Sequence, residues 1–207
     1  MIGGLLARLR TWARPGPRER LIETLHLRVN AAARRPGLYT GLGVPDTLEG
    51  RFECLILHVI LVLRRLNRLP EPAADVAQDL VNSVFLQLDS SLRESGIGDF
   101  GVPKRMKKLG AAFYGRAEGY DAGLDAGDAA ALRGALARNV LGLAAPETAA
   151  HLTAYVLAAA EALERADLDD LIGEGPRFPD PEAFLADTHA FAAPLTEPGA
   201  TPTRTTP

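Results

Sequence analysis

Residues 92–120 read LRESGIGDFGVPKRMKKLGAAFYGRAEGY, and they contain the end of one helix, a turn and the start of the next. Pro103 has a fixed φ angle that suits the first position of a helix. At about 100° per residue, the apolar side chains that follow fall on one stripe, made of Met106, Leu109, Phe113, Ala117 and Tyr120. The segment therefore predicts a helix that starts at Pro103, buries this stripe and reaches about Leu124.

Four cations stand at the start of this predicted helix: Lys104, Arg105, Lys107 and Lys108. The lysines point away from the apolar stripe, and the arginine flanks them. Positive charge at a helix N-terminus opposes the helix dipole, at a cost of roughly 0.3–1 kcal/mol per exposed charge. Such a locally unfavourable choice often marks a functional surface. The alternative is a solvated basic face balanced by Asp89, Glu94 and Asp99.

Three glycines follow at intervals of four residues: Gly115, Gly119 and Gly123. Each costs up to about 1 kcal/mol relative to alanine inside a helix. Together with Ala111 and Ala112 they predict a groove of small residues on the side of the cations. The groove has two interpretations, close packing of a helix of the same chain or docking of a partner helix.

The overall composition favours a helical protein. The chain has 207 residues, 47% of them hydrophobic and 24% charged, and alanine and leucine dominate over β-branched and aromatic residues. We predict an all-α fold, a single-domain helical bundle over residues 18–190. It is preceded by a basic amphipathic arm, residues 1–17, and followed by a disordered tail, residues 191–207.

The arm is strongly basic. Residues 1–35 contain eight arginines and two glutamates, which predicts an anionic partner such as a membrane surface or a nucleic acid. A short helix over residues 1–14 has the pattern of an interfacial anchor, with Leu5, Leu9 and Trp12 on one face and Arg8 and Arg10 available for headgroups. The alternatives are a helix that packs on the body and a frayed terminus.

Apolar periodicity predicts the other helices at residues 18–34, 47–68, 70–95, 129–139, 146–167 and 181–190. Residues 34–47 are predicted to be a loop, in which Asp46 and Glu49 form a capping box for the next helix. That helix contains CLILHVILVL, residues 54–63, and is predicted to be the buried centre of the fold. The run is too short to cross a bilayer.

Catalytic and metal-binding motifs are absent from the sequence. With one cysteine, Cys54, the chain forms no internal disulfide and no cysteine metal cluster, and a reducing compartment fits. His58 lies four residues after Cys54, but no second pair of ligands accompanies them, so a hydrogen-bonded core histidine is favoured over a metal ligand. Since phosphate loops, dinucleotide fingerprints and nucleophile elbows are also absent, we predict no catalytic residue, no cofactor and no enzyme activity.

Two segments together resemble a known family. They are ARRPGLYTGLGVPDTLEGRFECLILHVILVLRRL, residues 33–66, and DSSLRESGIGDFGVPKRMKKLGAAFYGRAEGYDAGL, residues 89–124. Both are similar to the ubiquinol–cytochrome c chaperone family, the assembly factors of the respiratory cytochrome bc complex (complex III). The resemblance covers residues 33–124, while residues 125–207 carry no motif that matches.

The resemblance implies an all-helical chaperone without catalytic activity. Mitochondrial members, with a small partner protein, act near the ribosomal exit tunnel and hold newly made cytochrome b. The signature residues that carry over are Asp89, Leu92, Arg93, Glu94, Gly98, Asp99, Pro103, Lys104, Lys107, Lys108, Phe113, Tyr114, Gly115 and Arg116. The residues expected to contact partners are Lys104, Arg105, Lys107, Lys108, Tyr114, Gly115, Arg116 and Gly119.

The expected partner is cytochrome b, nascent or newly inserted, with the ribosome as a further candidate; any haem would belong to this client. Because the chain shows no clear presequence, we expect a bacterial-type member in the cytoplasm, peripheral to the inner membrane. An alternative function is a helical ribosome-binding or RNA-binding adaptor that acts through residues 104–108. A third is a small-molecule binding bundle with Cys54 and His58 lining a pocket.

Overall fold

A computed structural model describes residues 16–94 and 101–185. The helices are α1 (Pro17–Ala33), α2 (Pro36–Thr40), α3 (Leu48–Leu66), α4 (Ala73–Glu94), α5 (Gly101–Asp125), α6 (Ala129–Leu136), α7 (Ala150–Glu164) and α8 (Leu168–Gly173). A π-helical turn, Ala137–Leu141, follows α6, and two 3₁₀ turns cover Pro146–Ala149 and Pro181–Phe184. Within these two ranges there is no strand, which confirms the predicted all-α class. The predicted arm helix and tail lie outside the described residues.

Helix α3 is the centre of the fold, as predicted. From residue 56 to residue 63 every side chain is buried, because α1, α4, α5 and α7 all pack around it. Its N-cap is Thr47, whose hydroxyl accepts a hydrogen bond from the Gly50 amide at 3.1 Å. The predicted Asp46 capping box is wrong, since that carboxylate bonds Arg51 instead at 2.6 Å.

Helices α4 and α5 form a hairpin on one side of α3, and α1 packs on α3 and α4. Helix α5 begins at Gly101, so the prediction that Pro103 takes the first helical position is wrong. The proline is still tolerated in the first turn, where backbone amides have no partner inside the helix. The apolar stripe of α5 faces inward as predicted, with Phe113 and Tyr120 buried.

Short helices account for most of the differences from the predicted elements. The predicted loop at residues 34–47 contains α2, which has Pro36 at its first position. The predicted helix at residues 146–167 begins as a 3₁₀ turn and ends at Glu164, and α8 follows it after a capping box of Asp167 and Asp170 that the prediction missed. The predicted helix at 181–190 starts at the expected residue but its described part is only one 3₁₀ turn.

The carboxyl-terminal segment is tied to α1 and to the loop after it by arginines. Arg28 donates to the Gly173 carbonyl at 2.5 Å, and Arg35 donates to the Pro179 carbonyl at 2.9 Å. These bonds hold residues 173–179 along the core. Among the helices of the described ranges, none combines the length and the hydropathy that crossing a bilayer requires.

Candidate partner-binding site

The outer face of α5 carries the predicted cations. Lys104, Arg105, Lys107 and Lys108 are all exposed, and none of them forms an ion pair with another described residue. Of the acids expected to balance them, Asp89 instead bonds Arg93 of its own helix at 2.7 Å. The described part of the chain therefore leaves this basic patch uncompensated.

The three glycines of α5 have different surroundings. A Cβ atom added at Gly115 or Gly119 meets nothing within 4 Å, whereas one added at Gly123 lies 3.1 Å from the Leu132 Cβ on α6. Close internal packing therefore explains Gly123 and leaves the other two unexplained. At Gly115 and Gly119 the helix backbone is open to an approaching molecule.

On the other side of α5 from this open backbone lies a groove that the sequence did not predict. It has a volume of about 240 Å³ and runs between α4 and α5, with α3 below. Its apolar lining includes Ile60, Leu63, Ala77, Val81, Phe113 and Ala117. Tyr114 lines the same groove and is 64% exposed, with its ring centroid 5.4 Å from that of Phe113. No local sequence pattern predicts the groove, because its lining comes from three helices that are separate in sequence.

One edge of the groove is polar, and its charged side chains are paired. Arg64 lines it and donates to Asp121 at 3.1 Å and to Asp125 at 2.5 Å. Arg68 bonds Asp125 as well and reaches Glu164 of α7 at 2.5 Å. This cluster joins the carboxyl-terminal ends of α3, α5 and α7, so the edge of the groove is fixed in position.

Arg116 has a different role from its neighbours on α5. Its guanidinium makes two hydrogen bonds of 2.5 Å to the Glu53 carboxylate on α3, and the two side chains are 20% and 14% exposed. Burial raises the pKa of Glu53, and Arg116 opposes that rise. The bidentate pair docks α5 on α3. The prediction that Arg116 contacts a partner protein is untested, and within the fold its guanidinium is paired with Glu53.

His58 is a hydrogen-bonded core residue, as favoured from the sequence. Its Nδ1 lies 2.7 Å from the Cys54 carbonyl, to which it donates, and its Nε2 accepts from the Tyr155 hydroxyl at 2.8 Å. Burial lowers the pKa of His58 to about 4 and raises the pKa of the Cys54 thiol to about 12. Both ring nitrogens are used, and neither residue lines the groove. Within the described ranges, no three His, Cys, Asp or Glu side chains are grouped as metal ligands.

The signature residues of the resemblance are spread along the α4–α5 hairpin. Leu92 is half-buried, Glu94 and Pro103 are exposed, and Gly98 and Asp99 lie outside the described residues. The structure brings together on one side of α5 the cations, Gly115 and Gly119, with Tyr114 at the edge of that side, toward the groove. It separates them from Arg116, which faces α3.

Comparison with known proteins identifies the family. A sequence model of the family described as "Ubiquinol-cytochrome C chaperone" matches residues 40–178, two thirds of the chain. The chain belongs to this family, which confirms the resemblance and extends it beyond residue 124, where no motif was recognised.

A solved structure gives a similar result. The crystal structure of the Cbp3 homolog from Brucella abortus is similar to this chain with a TM-score of 0.73 and 39% sequence identity, over 88% of this chain and 98% of that one. A comparison with curated proteins found no match.

Proposed function

We propose that this protein is an assembly chaperone of the respiratory cytochrome bc complex and that it binds newly made cytochrome b without catalysing a reaction. Membership of the ubiquinol-cytochrome C chaperone family is the observation that carries the proposal. The similarity to a Cbp3 homolog over 88% of this chain supports it.

The surface of α5 suits such a client. Before its helices find their neighbours, a polytopic membrane protein exposes apolar side chains and faces of small residues. The groove beside Tyr114 offers an apolar lining for one such side chain. The open backbone at Gly115 and Gly119 allows a client helix to approach closely, as small residues do in helix pairs. Groove and open backbone lie on different sides of α5 and are two separate client contacts in this proposal.

The test is affinity isolation of the tagged full-length protein from membranes, followed by detection of cytochrome b. We expect cytochrome b to co-purify and Gly119→Leu to reduce its yield at least tenfold, because the new side chain covers the open backbone. The matched control is Gly173→Leu on α8, where an added Cβ also meets nothing within 4 Å. Co-purification that is unchanged in Gly119→Leu would contradict the proposed surface, and absence of cytochrome b from the wild-type isolate would contradict the proposed client.

A further inference from the structure

We infer that the four cations of α5 form a docking site for an anionic lipid surface. This inference goes beyond binding of the client, and it rests on the basic patch alone. The patch consists of Lys104, Arg105, Lys107 and Lys108.

The four side chains are grouped in space. At about 100° per residue they span an arc of about 160° around the helix axis, within five residues of helix. Together with Gly101 and Ala111 they line one shallow depression of the surface. All four are exposed and unpaired with any described residue, so the positive charge is available to a partner.

The rest of the chain carries a net charge opposite to that of the patch. The whole chain has a net charge of −3, so the residues outside the patch together carry −7. A molecule with this separation of charge presents the patch, together with the basic segment of residues 1–35, to an anionic surface. Nonspecific attraction of the whole protein cannot produce the same result, because the net charge has the wrong sign.

The surroundings of the patch favour lipid headgroups over RNA. Single-stranded RNA is held by aromatic stacking in addition to charge. The exposed residues between the cations and the open backbone are small, namely Ala111 and Gly115, and the exposed ring of Tyr114 lies at the edge of this side, toward the groove. Three of the four cations are lysines, which act as point charges on flexible stems and need no planar acceptor. The phosphate groups of a membrane are suitable partners for such point charges.

Docking at this patch has a geometric consequence. Lys108 lies two turns from Gly115 on the outer face of α5, so the membrane would be within reach of the open backbone. The site that we assign to lipid is therefore adjacent to the one proposed for a membrane-protein client.

The experiment is cosedimentation of the full-length protein with vesicles of phosphatidylcholine alone or with 30% phosphatidylglycerol. The test variant is Lys107→Gln/Lys108→Gln. The control, Arg165→Gln/Arg177→Gln, changes the net charge equally, at two exposed arginines outside the patch. Each cation near an anionic surface contributes about fivefold to partitioning, so the test variant should bind anionic vesicles about 25-fold more weakly. The control should change binding less than twofold, and neutral vesicles should bind neither protein.

Three results would overturn the inference. They are equal binding of the wild type to neutral and anionic vesicles, equal losses in the test and control variants, and binding to a 20-nucleotide RNA that is lost in the test variant while vesicle binding is retained. The last result would assign the patch to nucleic acid. None of these outcomes bears on co-purification of cytochrome b, so the proposed function is tested separately.

Discussion

Alanine substitutions at the glycines of α5 should change the free energy of unfolding in opposite directions at different positions of the helix. Replacing Gly115 or Gly119 by alanine adds a methyl group in open space, so only helix propensity changes, and each variant should be more stable by about 0.8–1 kcal/mol. At Gly123 the same methyl group would lie 3.1 Å from the Leu132 Cβ and 3.2 Å from its backbone nitrogen. Because the backbone of α6 cannot easily move, overpacking should outweigh propensity and leave Gly123→Ala less stable by about 1 kcal/mol or more.

Urea unfolding of the full-length protein, followed by far-ultraviolet circular dichroism, measures these changes as shifts of the midpoint at constant m value. A gain of 1 kcal/mol corresponds to a melting temperature higher by about 2–4 °C for a chain of this size. The wild type and Gly123→Ala are the internal controls. A loss of stability in Gly115→Ala, or a gain in Gly123→Ala equal to that at the other two positions, would refute the account of an open outer face.

Three further predictions concern the body of the fold. His58 has a pKa of about 4 in the folded protein and near 6.5 in the unfolded chain. The neutral ring therefore stabilises the fold fully above pH 6.5, and this contribution is lost as the pH falls toward 4. Between pH 7 and pH 4 the wild type should lose about 3 kcal/mol more of its free energy of unfolding than His58→Gln. Arg116→Met leaves the Glu53 carboxylate buried and unpaired, which should cost about 2–3 kcal/mol in chemical denaturation, and Glu53→Gln in the same chain should recover at least half. Gly50→Ala places a Cβ 2.0 Å from the Pro45 carbonyl oxygen and should lower stability by about 3 kcal/mol or more, visible as a large drop in melting temperature.

Long helices were predictable because their signal is local. The apolar residues of α3, α5 and α7 recur at the helical period, and the inward residues of α7, such as Leu152 and Tyr155, are buried as expected. Helices α2 and α8 have five and six residues, which is too short for periodicity to be visible. At the start of α3, Asp46 and Thr47 are both good capping residues, and only the tertiary fold selects between them.

The candidate site was predictable only in part, for a similar reason. The cations and the open glycines belong to one helix, so the angle between them follows from their spacing. The Glu53–Arg116 pair joins residues 63 positions apart, and the groove needs three helices in contact. Neither leaves a pattern in the sequence. The sequence therefore predicts a partner contact for Arg116, while the fold pairs that side chain with Glu53.

The central claim is that this protein is required to make the cytochrome bc complex, and its most direct test is a reduced-minus-oxidised difference spectrum of membranes from a deletion strain. We expect a diminished cytochrome b signal and low complex III activity, with other respiratory complexes retained and both defects restored by the wild-type gene. Gly119→Leu should fail to restore them and Gly173→Leu should succeed. A normal cytochrome b signal with fully active complex III in the deletion strain would contradict the assembly role.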